Sequence, residues 1–157
     1  MRKFCEVPGK INGTVPQLLV NSNSPVTIIR SDFWKQVRDP TVAVEEEQKD
    51  FQVVTQDGIR VVGLTRLDLS LGDIQCKHPV LITEGIAHKF IIGNYYLTKY
   101  NCDILNSKTV FKIGNARVPY TLFRSTVNLI CPVISSVTII GPGEEAVFPA
   151  LFDAAGR

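Results

Sequence analysis

The sequence lacks the cysteine and histidine spacing of a metal site, any long apolar run, and any strong net charge, and each absence removes a class of function. Its four cysteines, Cys5, Cys76, Cys102 and Cys131, are far apart, with no C-x-x-C pair and no histidine at ligand spacing. No metal or other cofactor is therefore expected, and the cysteines are expected to be buried, reduced thiols. No stretch reaches the roughly 18 apolar residues of a membrane span, and the first residues carry charge without the apolar region of a secretory signal. The expectation is no membrane partner and an intracellular, cytoplasmic location. Seventeen basic and 15 acidic residues leave a formal net charge of +2. That balance creates no field that would advertise nucleic acid as a partner. The short runs Arg2-Lys3 and Glu45-Glu46-Glu47 read as solvated surface.

What is present is apolar and β-prone. At 157 residues and 45% hydrophobic content, the chain suits one domain, burying roughly two-thirds of the surface its unfolded form would expose. Short apolar or alternating runs are separated by turn residues at close intervals. Lys10-Ile11, the turn Asn12-Gly13 and residues 15–20 read as a hairpin, which also explains Asn12-Gly13-Thr14 better than a glycosylation sequon does. Residues 26–29 read as the next strand. Residues 31–37 offer a cap candidate, Ser31, followed by apolar residues at helical spacing before Pro40, which predicts a short surface helix.

Residues 51–63 are two β-prone runs around Asp57-Gly58, a pair suited to a type I′ turn and hence to a hairpin. Leu67, Leu69 and Leu71 alternate with Asp68 and Ser70, as in a half-buried strand. Gly72-Asp73 turns that strand toward residues 76–83. Phe90-Ile91-Ile92 is apolar throughout, as for a strand covered on both faces, and residues 94–100 are helix-compatible. Residues 103–105 and 109–113 are expected to pair across Asn106-Ser107-Lys108. Beyond Thr121, residues 127–140 and 146–152 look like a further hairpin around Gly141-Pro142-Gly143.

Two segments carry a resemblance: LLVNSNSPVTII at residues 18–29 and FIIGNYYL at residues 90–97. In their order and spacing, with a hairpin between them, they resemble the two halves of a retropepsin-like (retroviral-type) aspartic protease core, over approximately residues 4–120. The resemblance implies an all-β fold, a closed barrel or sandwich subunit with a flap hairpin and one or two short helices. Residues 1–120 would form this domain, and residues 121–157 a β-rich extension toward a following polyprotein domain. Residues 51–63 would be the flap, with Gln56, Asp57 and Gly58 at its substrate-facing tip. Ile91, Ile92 and Gly93 would support the site loop from beneath.

In that family each of two subunits donates one Asp, and the pair shares a proton because two carboxylates about 3 Å apart cannot both ionise cheaply. One carboxylate activates a water while the other, protonated, polarises the peptide carbonyl. Here the corresponding catalytic position is Asn21, whose amide cannot take a proton from water near neutral pH. Asn23 stands where the family has Gly, so its side chain is expected to crowd the loop, although Asn tolerates positive φ better than most residues. Ser22 keeps the hydroxyl that ties the two loops together, and Ser24 is within the family's range. Pro25 and Asn94 lack the Asp and Arg that pair near the retroviral dimer interface, and Tyr95 replaces the usual Asp or Asn.

The resemblance thus implies a domain from a retrotransposon or endogenous retroviral polyprotein that has lost catalysis and retains homodimerisation or the binding of a polypeptide. Two alternatives stay open. The chain is an active aspartic endopeptidase if Asn21 is an introduced substitution or a partner subunit supplies the Asp, or it is a non-enzymatic β-barrel interaction module.

Overall fold

The structure, a computed structural model, describes residues 2–41, 45–46, 51–55, 59–125 and 134–139. In its first half the strands are β1 (Arg2–Pro8), β2 (Lys10–Ile11), β3 (Gln17–Val20) and β4 (Ile28–Arg30), followed by helix α1 (Ser31–Val37), β5 (Glu45–Glu46) and β6 (Phe51–Thr55). Then come the long strands β7 (Arg60–Leu71) and β8 (Ile74–Glu84), β9 (Phe90–Ile92) and helix α2 (Asn94–Lys99). Strands β10 (Asp103–Leu105), β11 (Val110–Ile113), β12 (Ala116–Pro119), β13 (Thr121–Ser125) and β14 (Ile134–Ile139) complete the described chain.

The main sheet runs in the order β13-β1-β3-β9-β4-β8-β7-β2, with β5 added against β7. It curls into a half-barrel, and β10, β11 and β12 form a separate three-stranded sheet. Two short α-helices and one 3-10 turn, Asn106–Lys108, interrupt the β architecture among the described residues. None of them is long and apolar enough to cross a membrane.

The unbroken apolar runs have a direct physical cause. Successive strand side chains point to opposite faces, and the central strands are covered on both. Leu18, Val20, Ile29, Val80, Ile82, Phe90 and Ile92 fill one core cluster, while Leu19, Ile28, Leu81 and Ile91 fill another on the opposite face. Each fully buried Leu, Ile or Phe contributes about 1.5–3 kcal/mol relative to exposure. Strand β7 departs from this pattern as expected, with Leu67, Leu69 and Leu71 buried and Asp68 exposed.

The turns are set by backbone conformation. Asn12 and Gly13 both take positive φ, 46° and 90°, and Ile11 and Thr14 exchange backbone hydrogen bonds of 2.7 and 2.8 Å across them. This is the two-residue hairpin expected of Asn-Gly. The Asn12 side chain adds a tie unforeseen in the sequence, donating from Nδ2 to the Val37 carbonyl at 2.8 Å and accepting from the Asp68 amide at 2.9 Å. Strands β10 and β11 pair across Asn106–Lys108 as expected.

Three expectations meet a different outcome. Helix α1 begins at Ser31 itself, with extended Arg30 in the cap position; the first-turn acceptor is Asp32, whose Oδ1 takes both the Phe33 amide and Arg30 Nε at 2.7 Å. Strand β6, expected to fold back on β7, has its described ladder with β14 instead, from Phe51↔Ile139 to Thr55↔Ile134. Strand β14 therefore pairs with β6, whereas its expected partner, residues 146–152, lies outside the described residues. Finally, β13 follows residue 120 yet pairs with β1 from Glu6↔Thr121 to Arg2↔Ser125, continuing the main sheet.

Candidate functional site

Strand β3 delivers Asn21 to the centre of the sheet, and β4 carries the chain away. Between them lies β9, parallel to β3 through Leu19↔Ile91 and Val20↔Ile92 and antiparallel to β4 through Ile28↔Ile91 and Ile29↔Phe90. The loop and the Phe90–Ile92 strand are thus adjacent within one subunit, as the resemblance implies. The Asn21 amide extends the parallel ladder by donating to the Ile92 carbonyl at 3.0 Å, and the Ser24 amide closes the loop on the Asn21 carbonyl at 3.1 Å.

Side chains complete the turn. Asn21 Oδ1 accepts the Asn23 amide at 3.0 Å, the local bond by which Asn mimics a backbone turn. The Ser24 hydroxyl donates to the Val26 carbonyl at 2.7 Å. Asn21 and Ser24 are buried, while Ser22 and Asn23 form the exposed tip.

Gly93 makes the arrangement possible. A Cβ there would collide with the Val26 carbonyl and come within 2.9 Å of the Ser24 oxygen. Its φ of −96° is open to any residue, so the requirement is close backbone approach. Just beyond it, the first amides of α2 turn back onto the loop. Asn94 donates to the Ser24 carbonyl at 2.7 Å and Tyr95 to the Pro25 carbonyl at 3.1 Å. These bonds satisfy helix-end donors that have no partner within the helix.

The loop tip faces a recess of about 440 Å³ whose walls include Phe4, Val20, Ile104, Tyr120 and Leu122, with Asn21, Ser22 and Asn23 at its polar side. Among the described residues lining this recess none is a carboxylate. Its Cys5 thiol is pushed up to about 12, first by burial and then by the Glu6 charge, so it is no nucleophile at neutral pH. A neighbouring recess of about 340 Å³ shares Ser22 and Ile104 and includes Asp103 on its wall. The arrangement can hydrogen-bond a polar group, but among the described residues lining the first recess no group acts as a general base near neutrality.

The structure brings together Asn21, Ser22, Asn23, Ser24, Ile91, Ile92 and Gly93. Gln56, Asp57 and Gly58 lie outside the described residues. Asn23 differs from expectation in one respect: it is exposed and is absent from the positive-φ residues, which among the described residues and apart from glycine are Asn12, Asn101 and Thr109. The loop closes without a left-handed residue there, and the Asn23 side chain projects outward. Among the described residues no group of three or more His, Cys, Asp or Glu side chains could hold a metal. Cys5, Cys76 and Cys102 are free thiols.

Two histidines escaped the sequence reading. His88 Nδ1 accepts the Phe90 amide at 3.2 Å, which places the ring proton on Nε2, 2.6 Å from the Glu6 carboxylate. This pair ties β1 to the segment entering β9. His78 is buried behind α2, stacked on Tyr95 with centroids 5.9 Å apart and edge-on to Tyr96 at 5.0 Å. Neither ring environment leaves a sequence signal, because the partners come from distant strands or another element.

No family model matches the chain. Among solved structures, the crystal structure of the retroviral protease-like domain of Ddi1 from Leishmania major is similar with a TM-score of 0.65 and 18% identity, covering 77% of this chain and 96% of that one. The fold is retropepsin-like. The EIAV protease complexed with the inhibitor HBY-793 is similar with a TM-score of 0.52 and 11% identity, covering 64% of this chain and 90% of that one. At these identities the likeness concerns the retropepsin-like fold, and the chemistry of the loop is decided by this chain's own residues.

Proposed function

We propose that this chain is a retropepsin-like domain of a retrotransposon or endogenous retroviral polyprotein, without aspartic-protease activity, that pairs with a second copy and holds an extended polypeptide in the shared cleft. The observation that carries this reading is Asn21. It ends β3 in the buried position beside Gly93, with Oδ1 engaged by the Asn23 amide and no carboxylate among the described residues lining its recess. Two Asn21 amides facing each other across a two-fold axis would bind a peptide carbonyl without activating water.

Pairing is supported by the uncovered apolar side chains around the same recess. Leu122 is 46% and Ile104 38% exposed, and β13 ends the described order of the main sheet. Exposed sheet edges and apolar patches favour a partner, and a second copy is the simplest symmetric solution. In this reading Ser22 and Asn23 meet the partner loop, while Gln56, Asp57 and Gly58 cover the peptide.

Sedimentation combined with a peptide-library digest tests the proposal. A dimer that leaves the library uncut is expected, and Leu122→Asp should shift it toward monomer. Monomer at high concentration removes the pairing; cleavage abolished by an aspartic-protease inhibitor removes the inactivity.

A further inference from the structure

The buried aromatic pocket behind α2 has no part in the proposed peptide cleft, yet it touches the helix that holds the cleft's loop. His78 is 1% exposed and Tyr96 fully buried; neither His78 Nε2 nor the Tyr96 hydroxyl has a hydrogen-bond partner. Such orphaned groups are rare in folded proteins and raise the question of function.

We propose that His78 is an acid-sensitive brace: protonating its ring releases helix α2 and, with it, the hydrogen bonds that hold the Asn21 loop. The link is short. Tyr95, whose ring stacks on His78, donates its own backbone amide to the Pro25 carbonyl. Its neighbour Asn94 holds the Ser24 carbonyl. A helix displaced by its Tyr95 and Tyr96 rings cannot keep both bonds.

The surroundings offer an imidazolium nothing. From α2 it faces Tyr95, Tyr96 and the cation Lys99; just past the helix is Tyr100; on its own strand Cys76 lies two residues away; across the sheet it pairs with Leu67. Cys102 completes the group around Tyr96. Burial raises the Cys76, Cys102, Tyr96 and Tyr100 pKa values above their ordinary range, so none ionises to supply a counter-charge. Burial first and Lys99 second push the His78 pKa down to about 3. A proton therefore binds readily only once the pocket opens, where the ring regains its ordinary value near 6.5.

Amide hydrogen exchange on the intact chain, expressed as protection factors to remove the intrinsic pH dependence, tests the brace. Protection of the Asn94 and Tyr95 amides should fall roughly fiftyfold between about pH 6.5 and 4.5, the ratio given by an open-state imidazole of ordinary pKa. The Leu67 and Leu69 amides of β7, which open only with the whole fold, should remain better protected than Asn94 and Tyr95 at every pH. His78→Phe keeps an aromatic ring in the stack and should abolish the fall. Constant protection at Asn94 and Tyr95, protection there no lower than in β7, or the same loss in His78→Phe would each overturn the proposal. If His78→Phe does not fold, the imidazole 15N shifts of the unaltered chain decide. A ring that charges while α2 stays protected overturns the brace, and one that charges only as protection is lost supports it.

Discussion

Two polar islands both touch α2, and they meet burial in different ways. The Asn21–Ser24 loop is dense in answered hydrogen bonds: Asn21 Oδ1 takes the Asn23 amide, Ser24 Oγ gives to Val26, and the loop carbonyls receive the amides of α2. The His78 pocket leaves Nε2 and the Tyr96 hydroxyl unanswered. A buried polar group costs free energy unless it is paired. The loop's own bonds therefore involve no titrating group, and acid reaches them only through α2, whereas the pocket is stable only while its histidine is neutral.

The sharpest way to break the loop is to deny its backbone contact with Gly93. Gly93→Ala places a methyl against the Val26 carbonyl. The small entropic gain of replacing glycine is swamped, and a loss of about 4 kcal/mol or more is expected. Urea unfolding measures it, and a loss below about 1 kcal/mol would show that the two segments separate easily.

Acid attacks the pocket instead. The folded-state pKa of His78 is depressed to about 3, below the unfolded value near 6.5. Between those values the unfolded chain binds the extra proton, so stability is complete above about pH 6.5 and falls as pH drops. The His78 contribution should decline by about 2 kcal/mol between about pH 6.5 and 4.5. Asp32 and Asp39 also have lowered pKa values, held down chiefly by hydrogen bonds from Arg30 and Thr41. Their stabilisation is lost only at lower pH, as the carboxylates protonate. Comparing urea midpoints of the unaltered chain and His78→Phe across this window isolates the histidine.

Ser24→Ala should cost about 1–2 kcal/mol, because it removes the donor to a buried carbonyl. Asn23→Gly should change stability by only about 0.5 kcal/mol or less, since the side chain is exposed and the backbone needs no left-handed residue. A larger effect would place Asn23 inside the fold after all.

These two islands were unequally legible in the sequence. Strands buried on both faces read as continuous apolar runs, so Phe90–Ile92 and the flanks of the Asn21 loop stood out. Gly93 was marked only by the resemblance; that backbone approach leaves no room there for a side chain is a finding of the structure. The partner of β6 was not: Asp57-Gly58 signals a local turn, whereas pairing with β14 joins residues about eighty positions apart and leaves no local pattern. His78 was equally hidden, a lone histidine in a strand whose aromatic partners sit on α2. Its orphaned Nε2 is a property of packing.

The measurement that bears most directly on the central claim is peptide cleavage by three chains side by side: the unaltered chain, Asn21→Asp, and Asn21→Asp with Asn23→Gly. Asn21→Asp restores only the acid, while the double change also removes the side chain at the loop tip where a partner would approach. The account predicts no cleavage by the unaltered chain and substantial, acid-favoured cleavage only by the double variant. Cleavage by the unaltered chain, abolished by an aspartic-protease inhibitor and with Asn21 verified as undeamidated by mass spectrometry, would contradict it.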